Sequence, residues 1–341
     1  MQPRRPQTAP PADGAGPPAA LADFFVCDIA GVVFKDDMAT MEHPVFSLST
    51  RPDRRVLRYD HGGVSVEITP SVKGLATIHD KDVLIYCISQ LVAALNAGRP
   101  VARRIELVAH DLLVATRRET GGDSYRRLRE AFERLSGTRI VTNIPTGDTV
   151  TTTGFGLLEE WMIVRRTASG RMVSVSVTLS DWLFRAVLAR SVLTLAPGYF
   201  ALRKPLERRV YELARKHCGR QARWQVSMRV LCAKSGSASP LRVFRKMIRD
   251  MEAADLLPDY RLAVVAGDMV LVTPRGAVID DGDAPVLSAD TLAAARALAP
   301  GWDVHALEAD WRRYWQATGR PRLRSPARAF LAYCAKRASS E

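Results

Sequence analysis

Residues 105–144 constrain this chain more than any other stretch. An apolar segment from Ile105 to Thr116 runs into Arg117-Arg118-Glu119-Thr120-Gly121-Gly122, and an arginine-bearing segment from Asp123 to Leu135 follows. A short apolar helix, a glycine turn and a second, basic helix in that order predict a helix-turn-helix, whose second helix enters a DNA major groove. Asp123 is the expected N-cap of that second helix, because its carboxylate can accept from free amides of the first turn. Leu128, Ala131, Phe132 and Leu135 share one face at helical spacing, with Tyr125 at its border. Arg126, Arg127, Arg129 and Arg134 face away, mixed with Glu130 and Glu133. Taken alone, such a helix is equally well read as the solvated charged face of a core helix.

A second copy favours the DNA reading. A shift of 119 residues carries Leu107 to Val226, Leu112 to Leu231, Tyr125 to Phe244, Leu128 to Met247 and Phe132 to Met251. Residues 224–256 therefore repeat the apolar pattern of 105–137 without a gap, as a duplicated fold would. In this copy Arg242, Arg245, Lys246 and Arg249 form one stripe, and Phe244, Met247, Ile248 and Met251 form the opposite one. The basic stripe reads as unbroken by acids over two turns, which ordinary solvation explains less well.

Composition fits a polyanionic partner. Forty-nine basic residues against 36 acidic ones give the 341-residue chain a formal charge of +13 and a pI near 9.9. Only eight of the cations are lysines; arginine suits bidentate contacts to phosphate and guanine, although a GC-rich genome gives the same bias. A hydrophobic content of 47% allows two or three domains with real cores. Five irregularly spaced cysteines read as reduced thiols of a cytoplasmic protein. No signal peptide is legible, and no apolar run approaches the ~20 residues of a transmembrane helix, so no membrane partner is expected.

The rest of the chain arranges itself around the two units. Residues 1–20 carry six prolines among alanine and glycine and read as a disordered leader. Winged-helix domain 1 is expected over 21–196. It opens with Phe24-Phe25-Val26 as a docking element and continues with a hairpin about Asp60-His61-Gly62-Gly63. Thr77-Ile78-His79-Asp80 then reads as a helix-start box, and the helix it starts closes at Gly98. Strands over 138–144, 154–166 and 171–179 follow, and Ser180 caps a further helix. Arg165, Arg166 and Arg171 cluster at the Ser169-Gly170 turn, where a wing can touch phosphate. Winged-helix domain 2 is expected over 197–275, with a helix at 206–217 and a hairpin about Gly267-Asp268. A linker over 276–287 and a C-terminal helical region over 288–341 complete the chain. Val304, Leu307, Trp311, Tyr314 and Trp315 form an aromatic stripe there, read first as local core and second as a partner surface. The expected fold is thus α+β, two tandem winged helix-turn-helix domains with a C-terminal helical extension.

The sequence also resembles the plasmid replication initiators of the RepA type. The matching stretches are Val26-Cys27-Asp28-Ile29-Ala30, the eight residues from Met41 to Leu48, Thr69 through Lys81, Leu202 through Ala214, Leu307 through Arg312, and Ala329 through Arg337. The likeness covers roughly residues 21–337. It implies a protein that binds repeats at the origin of its own plasmid through tandem winged helices and recruits host replication proteins, an initiator or helicase. It carries no catalytic motif. Homodimerisation is a further expectation.

Enzyme chemistry finds little footing. There is no phosphate-binding Gly-x4-Gly-Lys-Ser/Thr loop, and none of the six histidines lies within two residues of another. His217-Cys218 with Cys232 lacks a fourth ligand at zinc spacing, so neither metal nor cofactor is expected. Asp80 and Asp82 read as structural acids at a helix start. Phosphate contacts are expected from Arg117, Arg118 and the wing arginines. Base contacts are expected from Arg126, Arg127 and Arg129, and from Arg242, Arg245, Lys246 and Arg249. The principal rival is a winged-helix transcriptional regulator with no part in initiation; a nickase or primase is weaker.

Overall fold

The structure is a computed structural model. It describes residues 23–61, 64–143, 145–146, 149–150, 152–165, 172–219, 221–275, 287–299, 302–318, 323 and 325–338. The expected leader, the Gly62-Gly63 and Ser169-Gly170 turns and nearly all of the expected linker lie outside these residues.

The first part of the mixed α+β chain runs β1 (Phe25–Val26), β2 (Lys35–Asp37), α1 (Met38–Glu42), β3 (Leu57–His61), β4 (Val64–Thr69), α2 (Lys81–Asn96), β5 (Arg104–Leu107), α3 (Ala109–Ala115) and α4 (Gly122–Gly137). It continues with β6 (Arg139–Thr142), β7 (Pro145–Thr146), β8 (Thr149–Val150), β9 (Thr153–Gly156), β10 (Leu158–Arg165), β11 (Met172–Leu179), α5 (Asp181–Leu188) and β12 (Val192–Thr194). A second part holds α6 (Pro205–His217), β13 (Trp224–Ser227), α7 (Met228–Ser235), α8 (Leu241–Ala254), β14 (Tyr260–Val265) and β15 (Met269–Pro274). Three helices follow, α9 (Ala289–Leu298), α10 (Val304–Ala317) and α11 (Pro326–Ala338).

The two parts share one plan. Each runs helix, strand, helix, helix, hairpin: α2-β5-α3-α4 with β10-β11, and α6-β13-α7-α8 with β14-β15. In each the early strand pairs antiparallel with the second hairpin strand, giving the orders β5-β11-β10 and β13-β15-β14. The 119-residue shift carries Ala109 to Met228 and Gly122 to Leu241, the first residues of corresponding helices. The shift also carries Ile105 to Trp224, and each of these pairs with the second hairpin strand of its own part, Ile105 opposite Val177 and Trp224 opposite Val272. Leu107, Leu112, Phe132 and their counterparts Val226, Leu231, Met251 are all buried. Tyr125 and Met247 are only half-buried, because the stripe α8 buries (Phe244, Ile248, Met251) is rotated relative to that of α4. The first part differs by an insertion, a second sheet in the order β3-β4-β6-β9, and by β1, which adds in parallel to β5.

Helix α2 is the centre of the molecule. The Thr77–Asp80 box forms as its spacing predicts: Asp80 Oδ2 accepts from the Thr77 amide at 2.8 Å and Thr77 Oγ1 from the Asp80 amide at 3.2 Å. Gly98, at φ +67, turns the chain away at the far end. Between them α2 is buried on nearly every side, and Ser89 and Gln90 find internal hydrogen-bond partners. Ser89 Oγ accepts from the Lys35 amide at 2.8 Å, and the Gln90 side chain exchanges hydrogen bonds with the Ile29 backbone. Val83, Leu84, Ile88 and Leu91 pack into the first core, whereas Ile85 and Met41 belong to the core of the second part.

Charge seals the junction. Lys81 Nζ, fully buried, lies 2.6 Å from Asp36 Oδ2 and 3.1 Å from Glu212 Oε2 on α6. Two carboxylates on separate elements thus bracket one ammonium at ion-pair distance. Burial pulls the ammonium pKa down, but Asp36, Glu212 and Asp37 outweigh it and hold it above the ordinary lysine value. Arg209 donates to the carbonyls of Thr40, Met41 and Glu42 at the end of α1, and to that of Lys234 at the end of α7. β12 returns from α5 to pair with β2.

A third core joins the C-terminal helices. Val304, Leu307, Trp311 and Trp315 are buried, with Trp311 against Phe330. The aromatic stripe is thus local core except for Tyr314, which is exposed beside Tyr333. His305 seats against Gly219, where a Cβ would lie 2.8 Å from the imidazole.

Lys81→Met leaves Asp36 and Glu212 buried against no ammonium, and is expected to cost on the order of 3–5 kcal/mol. A urea denaturation curve reads this directly; a loss below about 1 kcal/mol would mean that the buried cation is dispensable.

Candidate nucleic-acid interface

The α4 helix presents Arg126, Arg127 and Arg129 to solvent, all more than half exposed. Each is already matched: Arg126 with Asp123 and Glu130, Arg127 with Asp123 at 2.7 Å, Arg129 with Glu133 at 3.2 Å. Asp123 is not the N-cap. The helix starts at Gly122 with Gly121 before it, and the arginines three and four residues on take the carboxylate that was expected to serve the amides.

Two arginines expected to be available turn inward. Arg134 makes a two-pronged contact with buried Asp80 at 2.7 and 2.8 Å. Arg118 donates to Asp82 Oδ2 at 2.7 Å and to the His79 carbonyl. The other oxygen of Asp82 accepts from Arg208 of α6 at 2.6 Å. Asp80 and Asp82 are therefore structural, but as counter-ions to three arginines rather than by helix polarity alone. The signal was legible: three consecutive charges at the head of an apolar helix require partners. Arg117 stays exposed at φ +55 and makes no ion pair among the described residues. Arg165 ends β10, opposite Met172; Arg166 and Arg171 lie outside the described residues.

On α8 the balance differs. Arg242, Lys246 and Arg249 are exposed, opposite the buried Phe244, Ile248 and Met251. Arg245 is bound through both guanidinium arms to Asp268 at 2.8 and 2.7 Å. Asp268 sits at φ +58 beside Gly267 at φ +76 in the tight turn between β14 and β15. The stripe is thus not wholly free of acids, since Asp268 reaches it from the hairpin and Asp250 pairs with Lys246 at 2.7 Å. Among the described residues Arg242 and Arg249 make no ion pair. The 119-residue shift explains the contrast with α4: Arg245 and Lys246 correspond to Arg126 and Arg127, but Arg242 and Arg249 stand where α4 carries Asp123 and Glu130.

Other polar clusters serve packing. His217 lies 3.3 Å from Glu42 and stacks on Trp224, which accounts for the one histidine-cysteine cluster of the sequence. His79, beneath the α3–α4 turn, has its pKa pulled down to about 4, by burial first and by neighbouring Arg208 second.

This histidine makes stability depend on pH. Unfolded histidine titrates near 6.5, so between about 6.5 and 4 the unfolded chain holds the extra proton. Stability from this source is complete above about 6.5 and is lost as pH falls toward 4, with His43 and His217, also depressed by burial, adding to the slope. His79→Asn is expected to reduce the drop in melting temperature between pH 7.5 and 5; an identical drop would acquit His79.

Three comparisons bear on this geometry. The profile of the family described as "Replication initiator protein A" matches residues 35–262. A protein of Wigglesworthia glossinidia brevipalpis named "Putative replication protein" is 35% identical over 246 residues, covering 71% of this chain and 89% of that one. Crystal structures of domains 2 and 3 of RctB align at a TM-score of 0.48 and 15% identity. One covers 70% of this chain and 96% of its own, the other 66% and 92%. The profile runs from β2 into β14, and with the relative at 35% identity it identifies the chain as a member of the replication initiator protein A family.

Proposed function

We propose that this chain starts replication by binding duplex DNA at its own plasmid origin through two tandem winged helix-turn-helix units, with α4 and α8 in the major groove. The shared order of helix, strand, helix, helix and hairpin supports the winged-helix reading. The single observation that carries DNA binding is the solvent-facing side of α8, where Arg242 and Arg249 have no ion pair among the described residues. An unmatched arginine keeps its donors for phosphate or for the O6/N7 edge of guanine. Arg245, held by Asp268, joins the hairpin turn to the helix, so that wing and helix meet the duplex as one body.

The two units contribute unequally in this reading. The α8 helix supplies base contacts and most of the electrostatic attraction. The α4 arginines must exchange Asp123, Glu130 and Glu133 for DNA, which offsets much of their gain. The protein acts by binding, without catalysis, and delivers host replication proteins to the bound origin. A regulator of the same fold would leave replication intact when its gene is deleted from the replicon, whereas an initiator would not.

Arg242→Ala with Arg249→Ala is expected to weaken binding to a duplex of origin repeats by ~1–3 kcal/mol per lost base contact. It should also make the salt dependence shallower. Arg126→Ala with Arg127→Ala should cost clearly less. Fluorescence anisotropy across a salt series measures both; equal losses, or none from the α8 pair, would reject the assignment.

A further inference from the structure

A groove crosses the molecule from α4 to α8. Its first half is a cavity of about 750 Å³ reached by Arg117 and by Arg127 of α4, with Arg51 and Arg203 also on its wall. Its second half, about 510 Å³, is lined by Lys204 and reaches Met247 and Asp250 of α8. Ser49 lines both halves, and the adjacent residues Arg203 and Lys204 line one each, so the halves adjoin.

The charge balance of this groove is specific. At its floor Asp80 and Asp82 are occupied by Arg134, Arg118 and Arg208. Glu130 is taken by Arg126 and Asp250 by Lys246. Arg51, Arg117 and Arg203 make no ion pair among the described residues and come from three separate connections; of the carboxylates lining this half, Glu119 alone makes no ion pair among the described residues. Three guanidiniums held out from unconnected loops along one channel suit a ligand with regularly repeated negative charge. The aromatic on the wall, Phe200, is buried, so the groove offers no exposed ring on which a base could stack. That favours the outside of a duplex over a single strand or a nucleotide.

We propose that this groove is a phosphate track: the sugar-phosphate backbone of duplex DNA lies along it between the two basic helices, held by Arg51, Arg117 and Arg203. The inference rests on the DNA-binding function proposed above. It adds a contact that carries no sequence information and places residues of both units on one stretch of backbone.

The test uses the full chain with Arg51→Gln and Arg203→Gln, singly and together; both side chains are exposed, and neither belongs to α4 or α8. Binding is measured to an origin-repeat duplex and to a scrambled duplex of equal length over a salt series. For the double variant the affinity for both duplexes should fall by the same factor, and the salt slope should become shallower by about 0.9 per phosphate contact removed. Each single variant should give about half the effect, and an Arg313→Gln control on α10 none. An unchanged slope, or a loss confined to the repeat duplex, overturns the track. So does a pyrophosphate-dependent rise in melting temperature that the double variant loses while its duplex binding stays intact, since that describes a small-anion site. A wild-type chain that binds neither duplex overturns the parent function as well, whereas normal wild-type binding with an indifferent double variant overturns the groove alone.

Discussion

The architecture depends on three consecutive charges at the head of one buried helix. Asp80, Lys81 and Asp82 lack the water that would normally solvate them, and their counter-charges come from other elements of the fold. Asp80 holds α4, Lys81 holds β2 and α6, and Asp82 holds both the α3–α4 turn and α6. Burying such ions gives little net stability over an apolar packing of the same shape, but breaking one partnership is expensive. The set therefore acts chiefly as a specification: an arrangement of the units that fails to bring all the partners together leaves a charge stranded in the interior.

This explains which parts of the molecule were legible in the sequence. Periodicity located the helices and hairpins because it reports directly on burial, and the Thr77–Asp80 box and the Ser180 cap formed where their spacing put them. The 119-residue repeat read from the sequence relates the observed helix starts of the two parts to the residue, although the expected cap at Asp123 did not form. Individual arginines were less legible. Arg134 looks the same as Arg126 and Arg127 in a helical projection, and Arg118 the same as Arg117 in the turn, yet Arg118 and Arg134 face carboxylates more than thirty residues away in sequence while Arg126 and Arg127 face water. Only the tertiary fold distinguishes a cation that seals a junction from one that can meet a ligand. Asp123 failed as a cap for a local reason, since it had two arginine suitors within one turn.

The stretches of strongest family resemblance take on a different meaning in this light. Residues 69–81 and 202–214 contain Lys81, Arg208, Arg209 and Glu212, which belong to the interior junction and not to the exposed basic faces. What is most recognisable in the sequence is the apparatus that joins the units. The basic face of α8, where the functional reading rests, lies outside those stretches.

The pairing of β12 with β2 has a further consequence. The strand leaving the first unit is stitched to the strand entering it, directly before the chain passes into the second. The connection is thereby shortened to a stiff corner, and Arg209 clamps the far side of that corner. The distance from one basic helix to the other is consequently a property of the protein, set before any target is met. A ligand that touched both helices would therefore have to match a spacing already fixed by the fold.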